Sequence, residues 1–297
     1  MLVLLLLPLA GCTAVLRPET LGVRTPTAEA SPAPQETPSL TAGPTRTATL
    51  APSPTVIPTE EPLILVILYD NNPYDERLRT SWGFSCFLER GDLRILFDTG
   101  ADSSTLLANM ATLGIDPGGL DAIVLSHIHG DHVGGLDGVL AANEDTTVYV
   151  PQSFPSRFKD DVGGRARLVE VGEPMRIAEG VQTTGEMGRA IREQALIVSS
   201  AQGAIVITGC SHPGIVEIVA RAKKVSGEPI DLVMGGFHLS GTGKAGIKSI
   251  VEAFQRMGVR RVAPTHCSGD LAREMFAEAY GDQFIRAGVG LRLEIQP

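Results

Sequence analysis

The sequence from residue 63 onward predicts an α/β fold in which two mixed β-sheets lie between outer layers of helices. Short apolar runs, of the length typical of buried strands, recur along this part of the chain. A hairpin comes first, and helical segments then alternate with strands in both halves. This mixture is typical of sheets that are covered by helices, and it predicts a four-layer αβ/βα sandwich.

The elements follow from local patterns. Residues 63–69 are continuously apolar, as in a buried strand. Residues 83–89 and 93–97 predict a hairpin, because Arg90-Gly91-Asp92 between them has the composition of a tight turn. Asp102-Ser103-Ser104 predicts the start of a helix that runs to about residue 113. The remaining predicted elements are strand 121–126, helix 134–143, strands 146–150, 167–171, 195–199 and 204–208, helix 214–225, strand 230–235, helix 245–257, strand 260–264, helix 270–279 and strand 284–295.

The first twelve residues have the pattern of a signal peptide. Residues 2–10 form an apolar stretch of signal-peptide length, too short to span a bilayer. The following Leu9-Ala10-Gly11-Cys12 resembles a bacterial lipobox, which implies that Cys12 is lipidated. We therefore expect an extracytoplasmic bacterial lipoprotein, anchored to the membrane at Cys12. Since no Lys or Arg precedes the apolar stretch, we also expect the signal sequence to begin upstream of Met1.

Residues 13–62 differ sharply from the rest of the chain. They hold ten of the 20 prolines and no Phe, Tyr, Trp or His. Such a segment cannot bury enough apolar surface to offset its ordering entropy. The sequence therefore predicts a disordered Pro/Thr-rich tether between the lipid anchor and a catalytic domain at residues 63–297.

Charge and hydropathy exclude two classes of protein. The formal net charge is −9, which argues against nucleic acid as a partner, because phosphate neutralisation needs a basic surface. No apolar run reaches the roughly 20 residues of a membrane-spanning helix, so a polytopic membrane protein is excluded.

Three of the six histidines fall within the segment Ser126-His127-Ile128-His129-Gly130-Asp131-His132, directly after a predicted strand. Side chains that leave a strand end together can point at two neighbouring positions in space. Two metal ions that share a water molecule need this arrangement. Imidazole and carboxylate ligands suit Zn(II), with Mn(II) or Fe(II) as alternatives.

The pattern H-x-H-x-D-H resembles the signature of the metallo-β-lactamase superfamily, and the resemblance covers residues 64–295. It implies that His127 and His129 bind the first metal and that Asp131 and His132 bind the second. Phe97-Asp98-Thr99-Gly100 resembles the upstream F-D-x-G motif of that family. The resemblance therefore implies that Asp98 hydrogen-bonds a ligand histidine and fixes its tautomer.

The other three histidines also follow predicted strands, where open α/β sheets build their sites. They lie in Thr208-Gly209-Cys210-Ser211-His212-Pro213-Gly214, Gly235-Gly236-Phe237-His238-Leu239 and Pro264-Thr265-His266-Cys267-Ser268-Gly269. These strings resemble the branch of the superfamily named for 7,8-dihydropterin-6-methyl-4-(β-D-ribofuranosyl)aminobenzene-5′-phosphate synthase. The resemblance does not imply that this chain carries out the reaction in that name.

The third ligand of the first metal departs from the family pattern. Most members supply a histidine from a segment that reads Thr183-Thr184-Gly185-Glu186 in this chain. The resemblance therefore points to His212 as the ligand, with Glu186 as a substrate contact or a substitute metal ligand. His266 is expected to complete the second site. His238 is a ligand, a structural histidine or, as the favoured alternative, a proton donor or substrate contact.

Three cysteines lie in the predicted domain. Cys210 and Cys267 each stand within two residues of an expected ligand, so either a zinc-binding thiolate or a buried spectator is possible, and the sequence favours the spectator. Cys86 is predicted to be a core residue.

Residues 241–246 formally fit the G-x-G-x-x-G pattern. A dinucleotide site needs an acidic residue at the end of the next strand, which instead ends in Pro264-Thr265-His266. A dinucleotide site is therefore excluded. Lys244, at a predicted helix start, either holds a substrate phosphate or belongs to a plain loop.

Together these features predict a metal-dependent hydrolase that directs a hydroxide, bound by two metals, at a small-molecule ester, lactone or phosphodiester. Asp131 would position the nucleophile, and His238 would protonate the leaving group. Two alternatives remain. One is a di-iron redox protein, although such members usually carry Glu where His129 stands. The other is a tethered metal- or ligand-binding module without catalytic activity.

Overall fold

A computed structural model of the chain describes residues 61–296. The predicted signal peptide with Cys12, and nearly all of the predicted tether, lie outside the described residues. The strands are β1 (Leu63–Tyr69), β2 (Ser85–Arg90), β3 (Leu93–Phe97), β4 (Ala122–Val124), β5 (Thr147–Pro151), β6 (Arg167–Val171), β7 (Arg176–Ala178), β8 (Val181–Thr183), β9 (Leu196–Ser200), β10 (Gly203–Thr208), β11 (Ile230–Gly236), β12 (Arg261–Thr265) and β13 (Arg292–Ile295). The helices are α1 (Ser103–Leu113), α2 (Gly130–Val133), α3 (Leu136–Ala142), α4 (Ser156–Gly163), α5 (Ile215–Ser226), α6 (Lys244–Met257) and α7 (Asp270–Tyr280).

The strands form two mixed sheets. The first has the order β13-β1-β2-β3-β4-β5-β6, and the second has the order β12-β11-β10-β9-β8-β7. In the first sheet β2 and β3 pair as the predicted hairpin, with Arg90 opposite Leu93, whereas β3 to β6 run parallel. In the second sheet β10, β11 and β12 are parallel, and β9 is antiparallel to β10. The predicted fold class is confirmed.

The alternation of side chains along the strands builds three apolar layers. On β1, Leu65 and Ile67 face the second sheet and pack with residues such as Ile205 of β10. Their neighbours Val66 and Leu68 point the other way, against α1 and α3. The opposite face of the second sheet is covered by α5, α6 and α7. Each large aliphatic side chain buried in these layers contributes roughly 1.5–3 kcal/mol of burial free energy. The four layers are therefore helix, sheet, sheet and helix, as predicted.

Several elements differ from the prediction. The predicted strand 284–295 is wrong over most of its length, because only Arg292–Ile295 pairs with β1. Before it, backbone bonds from Val289 to Asn72 and from Gly290 to Ile67 hold a loop against the start of the domain. The helix α4 and the short strands β7 and β8 were not predicted. Among residues 61–296 no helix is long and apolar enough to cross a membrane.

Candidate metal centre

Loops that follow the carboxyl ends of strands in both sheets carry the polar side chains that meet between the sheets. Four non-glycine residues in these loops have a left-handed backbone: Asp98 after β3, Ser211 after β10, His238 after β11 and His266 after β12. A conformation of this kind costs about 1–3 kcal/mol per residue and persists only where surrounding structure enforces it. The strain therefore concentrates where the predicted site residues lie.

Three of the histidines point their ring nitrogens at one position. Nε2 of His127 lies 3.1 Å from Nδ1 of His129, and Nε2 of His212 lies 3.2 Å from the same atom. Nitrogens bound to one tetrahedral zinc ion at about 2.0–2.1 Å would be about 3.3 Å apart. The spacing fits a divalent cation held by three imidazoles. We call this set the three-histidine cluster.

A second set lies beside the first. Oδ2 of Asp131 is 3.6 Å from Nε2 of His132 and 3.4 Å from Nε2 of His266. The two ring nitrogens are fully buried, whereas the Asp131 side chain keeps 22% of its surface exposed. One carboxylate and two imidazoles suit a second divalent cation. We call this set the Asp131 cluster.

The Cys210 sulfur lies within the same space. It is 3.2 Å from Nε2 of His132 and 3.4 Å from Nε2 of His266. It also groups with ligand nitrogens of His127 and His212, all within 4.8 Å of one another. The side chain is buried and its thiol is free. The sulfur therefore lies within reach of the ligand atoms of both clusters.

Hydrogen bonds fix the orientation of three rings. Nδ1 of His127 is 2.9 Å from the Ser126 hydroxyl, and Nδ1 of His132 is 2.7 Å from Oδ2 of Asp98. Nδ1 of His266 lies 3.0 Å from Oδ1 of Asn71. In each ring the other nitrogen, Nε2, faces the clusters. Partners of this kind fix the tautomer and raise the basicity of a ligand histidine.

Asp98 ties two of the site loops together. Its Oδ1 accepts from the Ser126 amide at 2.6 Å, and its Oδ2 accepts from the Ser126 hydroxyl at 2.7 Å. The same Oδ2 faces His132. The carboxylate is fully buried, so all three bonds form away from water.

Glu193 performs a similar role for the loop after β10. Its Oε1 accepts from the amides of Cys210 and Ser211, both at 2.9 Å, and its Oε2 accepts from the amide of His212 at 2.8 Å. Burial raises the pKa of Glu193 to about 7, although the amides of Ser211 and His212 favour its charged form. The sequence predicted no role for this residue.

Two glycines are required by close packing at the site. A Cβ on Gly209 would lie 2.1 Å from the Ser126 hydroxyl and 2.9 Å from Oδ2 of Asp98. A Cβ on Gly236 would lie 2.4 Å from the Gly209 carbonyl and 2.7 Å from the Cys267 sulfur. The absence of a side chain lets the ends of β10 and β11 approach the ligand loops.

Most of the shifted pKa values at the two clusters favour a bound cation. Burial and the neighbouring rings lower the pKa of His127, and burial with the nearby His238 lowers the pKa of His212 to about 4. Burial opposes charge on His132, but the Asp98 carboxylate outweighs it and raises the pKa of His132. Burial likewise opposes charge on Asp131, but His266 and His132 hold its pKa well below the usual range. His127, His212 and Asp131 are therefore held in the deprotonated forms that a metal needs, whereas His132 must release a proton when a metal binds.

The other predicted site residues lie around the clusters. His238 is exposed, and its ring centroid is 4.5 Å from that of His212. Its ring also groups with the sulfurs of Cys210 and Cys267. Glu186 lies apart: it accepts from the Ser153 amide and pairs with Arg192. Lys244 is the exposed first residue of α6.

Sequence reasoning missed two residues next to the Asp131 cluster. Asn71 holds His266, and the exposed Trp82 ring lies 4.9 Å from the His266 ring. Asn71 follows a buried strand, as the predicted histidines do, so the same pattern could have identified it. No sequence signal marked Trp82.

A pocket of about 550 Å³ adjoins the three-histidine cluster at His212. Its wall is mainly the loop between β8 and β9, with the start of α5 opposite. The lining residues are Met187, Gly188, Arg189, Ala190, Ile191, His212, Pro213 and Glu217. A small molecule held there would lie beside the clusters.

Comparison with known proteins gives consistent matches. Residues 83–233 match the family model of the metallo-beta-lactamase superfamily. A 7,8-dihydropterin-6-methyl-4-(beta-D-ribofuranosyl)-aminobenzene-5'-phosphate synthase from Methanocaldococcus jannaschii is 32% identical over 245 residues, which cover 66% of this chain and 83% of the relative.

Two solved structures are similar to this chain over most of its length. Tm1679, a metal-dependent hydrolase of the beta-lactamase superfamily, is 27% identical with a TM-score of 0.66, and the match covers 79% of this chain and all of Tm1679. A diphosphatase of the PhnP family shares the fold at 16% identity, with a TM-score of 0.54 over 80% of this chain and 99% of that one.

Proposed function

The chain belongs to the metallo-beta-lactamase superfamily, and on that premise we propose that it is a hydrolase that depends on two divalent metal ions. The proposal rests on one observation, the three-histidine cluster beside the Asp131 cluster. Zn(II) suits this set of nitrogen and carboxylate ligands, with Mn(II) and Fe(II) as alternatives. The substrate class is a small-molecule ester, lactone or phosphodiester.

The chain's own residues hold and orient the reacting groups. His127, His129 and His212 would hold one cation, and Asp131, His132 and His266 would hold the other. When bound, two such ions supply a nucleophile from water near neutral pH and stabilise the developing oxyanion. Asp98 keeps His132 in the tautomer that presents Nε2 to the site.

His238 is the proposed proton donor to the leaving group. Its ring is exposed, yet it packs against the ring of His212, a ligand in the three-histidine cluster. Hydrogen bonding with Cys267 raises the pKa of His238, which favours the protonated ring that a general acid needs. The pocket beside His212 is the proposed place for the substrate.

Hydrolysis is favoured over the other chemistries. The Methanocaldococcus relative is named as a synthase, but Tm1679, aligned over its full length, is a metal-dependent hydrolase. A di-iron redox protein is disfavoured because His129 stands where such members usually carry Glu. A module that only binds metal is disfavoured because an exposed histidine, His238, and a pocket of about 550 Å³ both adjoin the three-histidine cluster at His212.

A substrate screen tests this proposal. The purified full chain, loaded with zinc or manganese, is assayed on panels of phosphodiesters, lactones, thioesters and carboxylic esters. We expect turnover on at least one panel, and its loss in the double variant His127→Ala/His129→Ala. The variant Lys159→Ala, an exposed pair with Glu170, serves as the matched control and retains turnover. Absence of turnover on every panel, or full turnover by the double variant, would contradict the proposal.

We also propose that the lipidated Cys12 places the enzyme on the outer side of a bacterial membrane. The support is the lipobox-like Leu9-Ala10-Gly11-Cys12 and the Pro/Thr-rich segment after it. Membrane fractionation of cells that express the full chain or Cys12→Ser tests this. The wild-type chain is expected in the membrane fraction, and equal membrane retention of the variant would contradict the proposal.

A further inference from the structure

Resting on the two-metal site proposed above, we propose that Cys210 binds both metal ions through one bridging thiolate. The six ligands assigned so far are five imidazoles and one carboxylate, and they form two separate sets. Cys210 lies where the two sets meet.

The distances to the Asp131 cluster support direct binding. The sulfur is 3.2 Å from Nε2 of His132 and 3.4 Å from Nε2 of His266. A sulfur at about 2.3 Å and a nitrogen at about 2.0 Å from one tetrahedral zinc ion would be about 3.5 Å apart. The same ion could therefore bind all three atoms without movement of the protein backbone.

The sulfur also belongs to the other cluster. It groups with the ligand nitrogens of His127 and His212 within the same 4.8 Å limit as it does with Asp131, His132 and His266. Of the described residues, Cys210 alone is in both groups. An atom common to two ligand sets is in the position of a bridge.

The backbone holds Cys210 in this place. Its amide donates to Glu193 at 2.9 Å, and it follows Gly209, whose missing side chain allows the approach to Ser126 and Asp98. The side chain is buried, so solvent does not compete for the sulfur.

Cys267 is the rival thiol. Its sulfur is 3.7 Å from the Cys210 carbonyl oxygen and groups with Cys210 and His238. Among the described residues it joins neither the His127 group nor the Asp131 group. The geometry therefore assigns the bridge to Cys210.

Metal binding by the Cys210 thiol needs no oxidant. As metal binds, the Cys210 S–H bond breaks, the proton passes to solvent water, and the sulfur electron pairs form bonds to the metals. No electron is transferred. A thiolate favours Zn(II) over Mn(II), so the full chain should retain zinc more strongly than manganese.

X-ray absorption at the zinc edge tests the bridge on the full chain loaded with two zinc ions. We expect one sulfur neighbour per zinc, since a bridge is counted by both ions. One sulfur for every two zinc ions would indicate a terminal ligand, and no sulfur would indicate a spectator. Either result would overturn the proposal. The measurement needs no variant, so a folding defect cannot obscure it.

Cobalt-loaded variants identify which thiol binds. The wild-type chain should show thiolate-to-cobalt charge-transfer absorption, which Cys210→Ser loses. Cys267→Ser and the buried control Cys86→Ser should keep the band. A band that persists in Cys210→Ser, or disappears only in Cys267→Ser, would overturn the assignment. If the sulfur signal is absent while the substrate screen shows metal-dependent turnover, the proposed thiolate bridge is refuted and the proposed hydrolase function is retained.

Discussion

The substitution Asp98→Asn tests how the site is positioned, because its consequences follow from three hydrogen bonds. If the amide oxygen takes the place of Oδ2, the NH2 group faces the Ser126 amide hydrogen, and two donors meet without an acceptor. If the oxygen takes the place of Oδ1, the NH2 group faces His132, whose Nδ1 must then accept. His132 would in that case carry its proton on Nε2, the atom that binds the metal.

Either arrangement weakens the Asp131 cluster. A buried polar group left unsatisfied costs roughly 1–3 kcal/mol, and tenfold in a binding constant corresponds to about 1.4 kcal/mol. We therefore expect the second metal to bind about tenfold to a hundredfold more weakly, in the range typical of lost ligand-orienting bonds. The three-histidine cluster should change less, because it does not contain His132.

The single Trp of the chain provides the assay. Trp82 lies 4.9 Å from the His266 ring, so a paramagnetic ion such as Co(II) bound there should quench its fluorescence. Titration of the metal-free full chain with cobalt then gives the affinity of this cluster directly.

Asp231→Asn is the matched control. Asp231 is equally buried and hydrogen-bonded, to Arg260 and Arg261, but it lies at the amino end of β11, away from the site. It should lower stability without changing the titration. Unchanged affinity in Asp98→Asn, or an equal loss in Asp231→Asn, would refute the reasoning.

Three further predictions follow from the same contacts. As the pH falls through neutrality, protons should displace cobalt from the Asp131 cluster first, because the pKa of His132 is raised whereas that of His212 is about 4. A pH titration of the bound metal content measures this order, and simultaneous release of both ions would contradict it. Glu193→Gln places an amide donor against a backbone N–H of residues 210–212. The zinc affinity, measured by competition with a chelator, should therefore fall about tenfold to a hundredfold. An unchanged zinc affinity would argue against a positioning role for Glu193. Gly209→Ala should lower the free energy of unfolding by about 1–3 kcal/mol in urea, whereas Gly163→Ala, with open space around it, should change it little.

The sequence predicted the parts of the fold that depend on local pattern. The continuous apolar run of β1 and the turn between β2 and β3 are both in place. The strands β7 and β8 have three residues each, too few to show a period, and α4 buries only Val162. The loop before β13 was mispredicted because its partners, Ile67 and Asn72, lie more than 200 residues earlier in the chain.

In the candidate site, too, the features set by local pattern were predictable from sequence, and those set by distant partners were not. Polar residues after apolar runs identified the strands that would supply ligands, and the structure brings all six predicted ligands into two adjacent clusters. Cys210 was favoured as a spectator because its sequence neighbours do not reveal its partners. His132 and His266, which surround its sulfur, come from the segments after β4 and β12.

The hydrolysis rate of the metal-stripped full chain, measured as zinc is added back, tests the central claim most directly. A two-metal hydrolase predicts negligible rate without metal and a rise that reaches its plateau at two zinc ions per chain. A rate that survives metal removal, or a plateau at one zinc ion per chain, would contradict it.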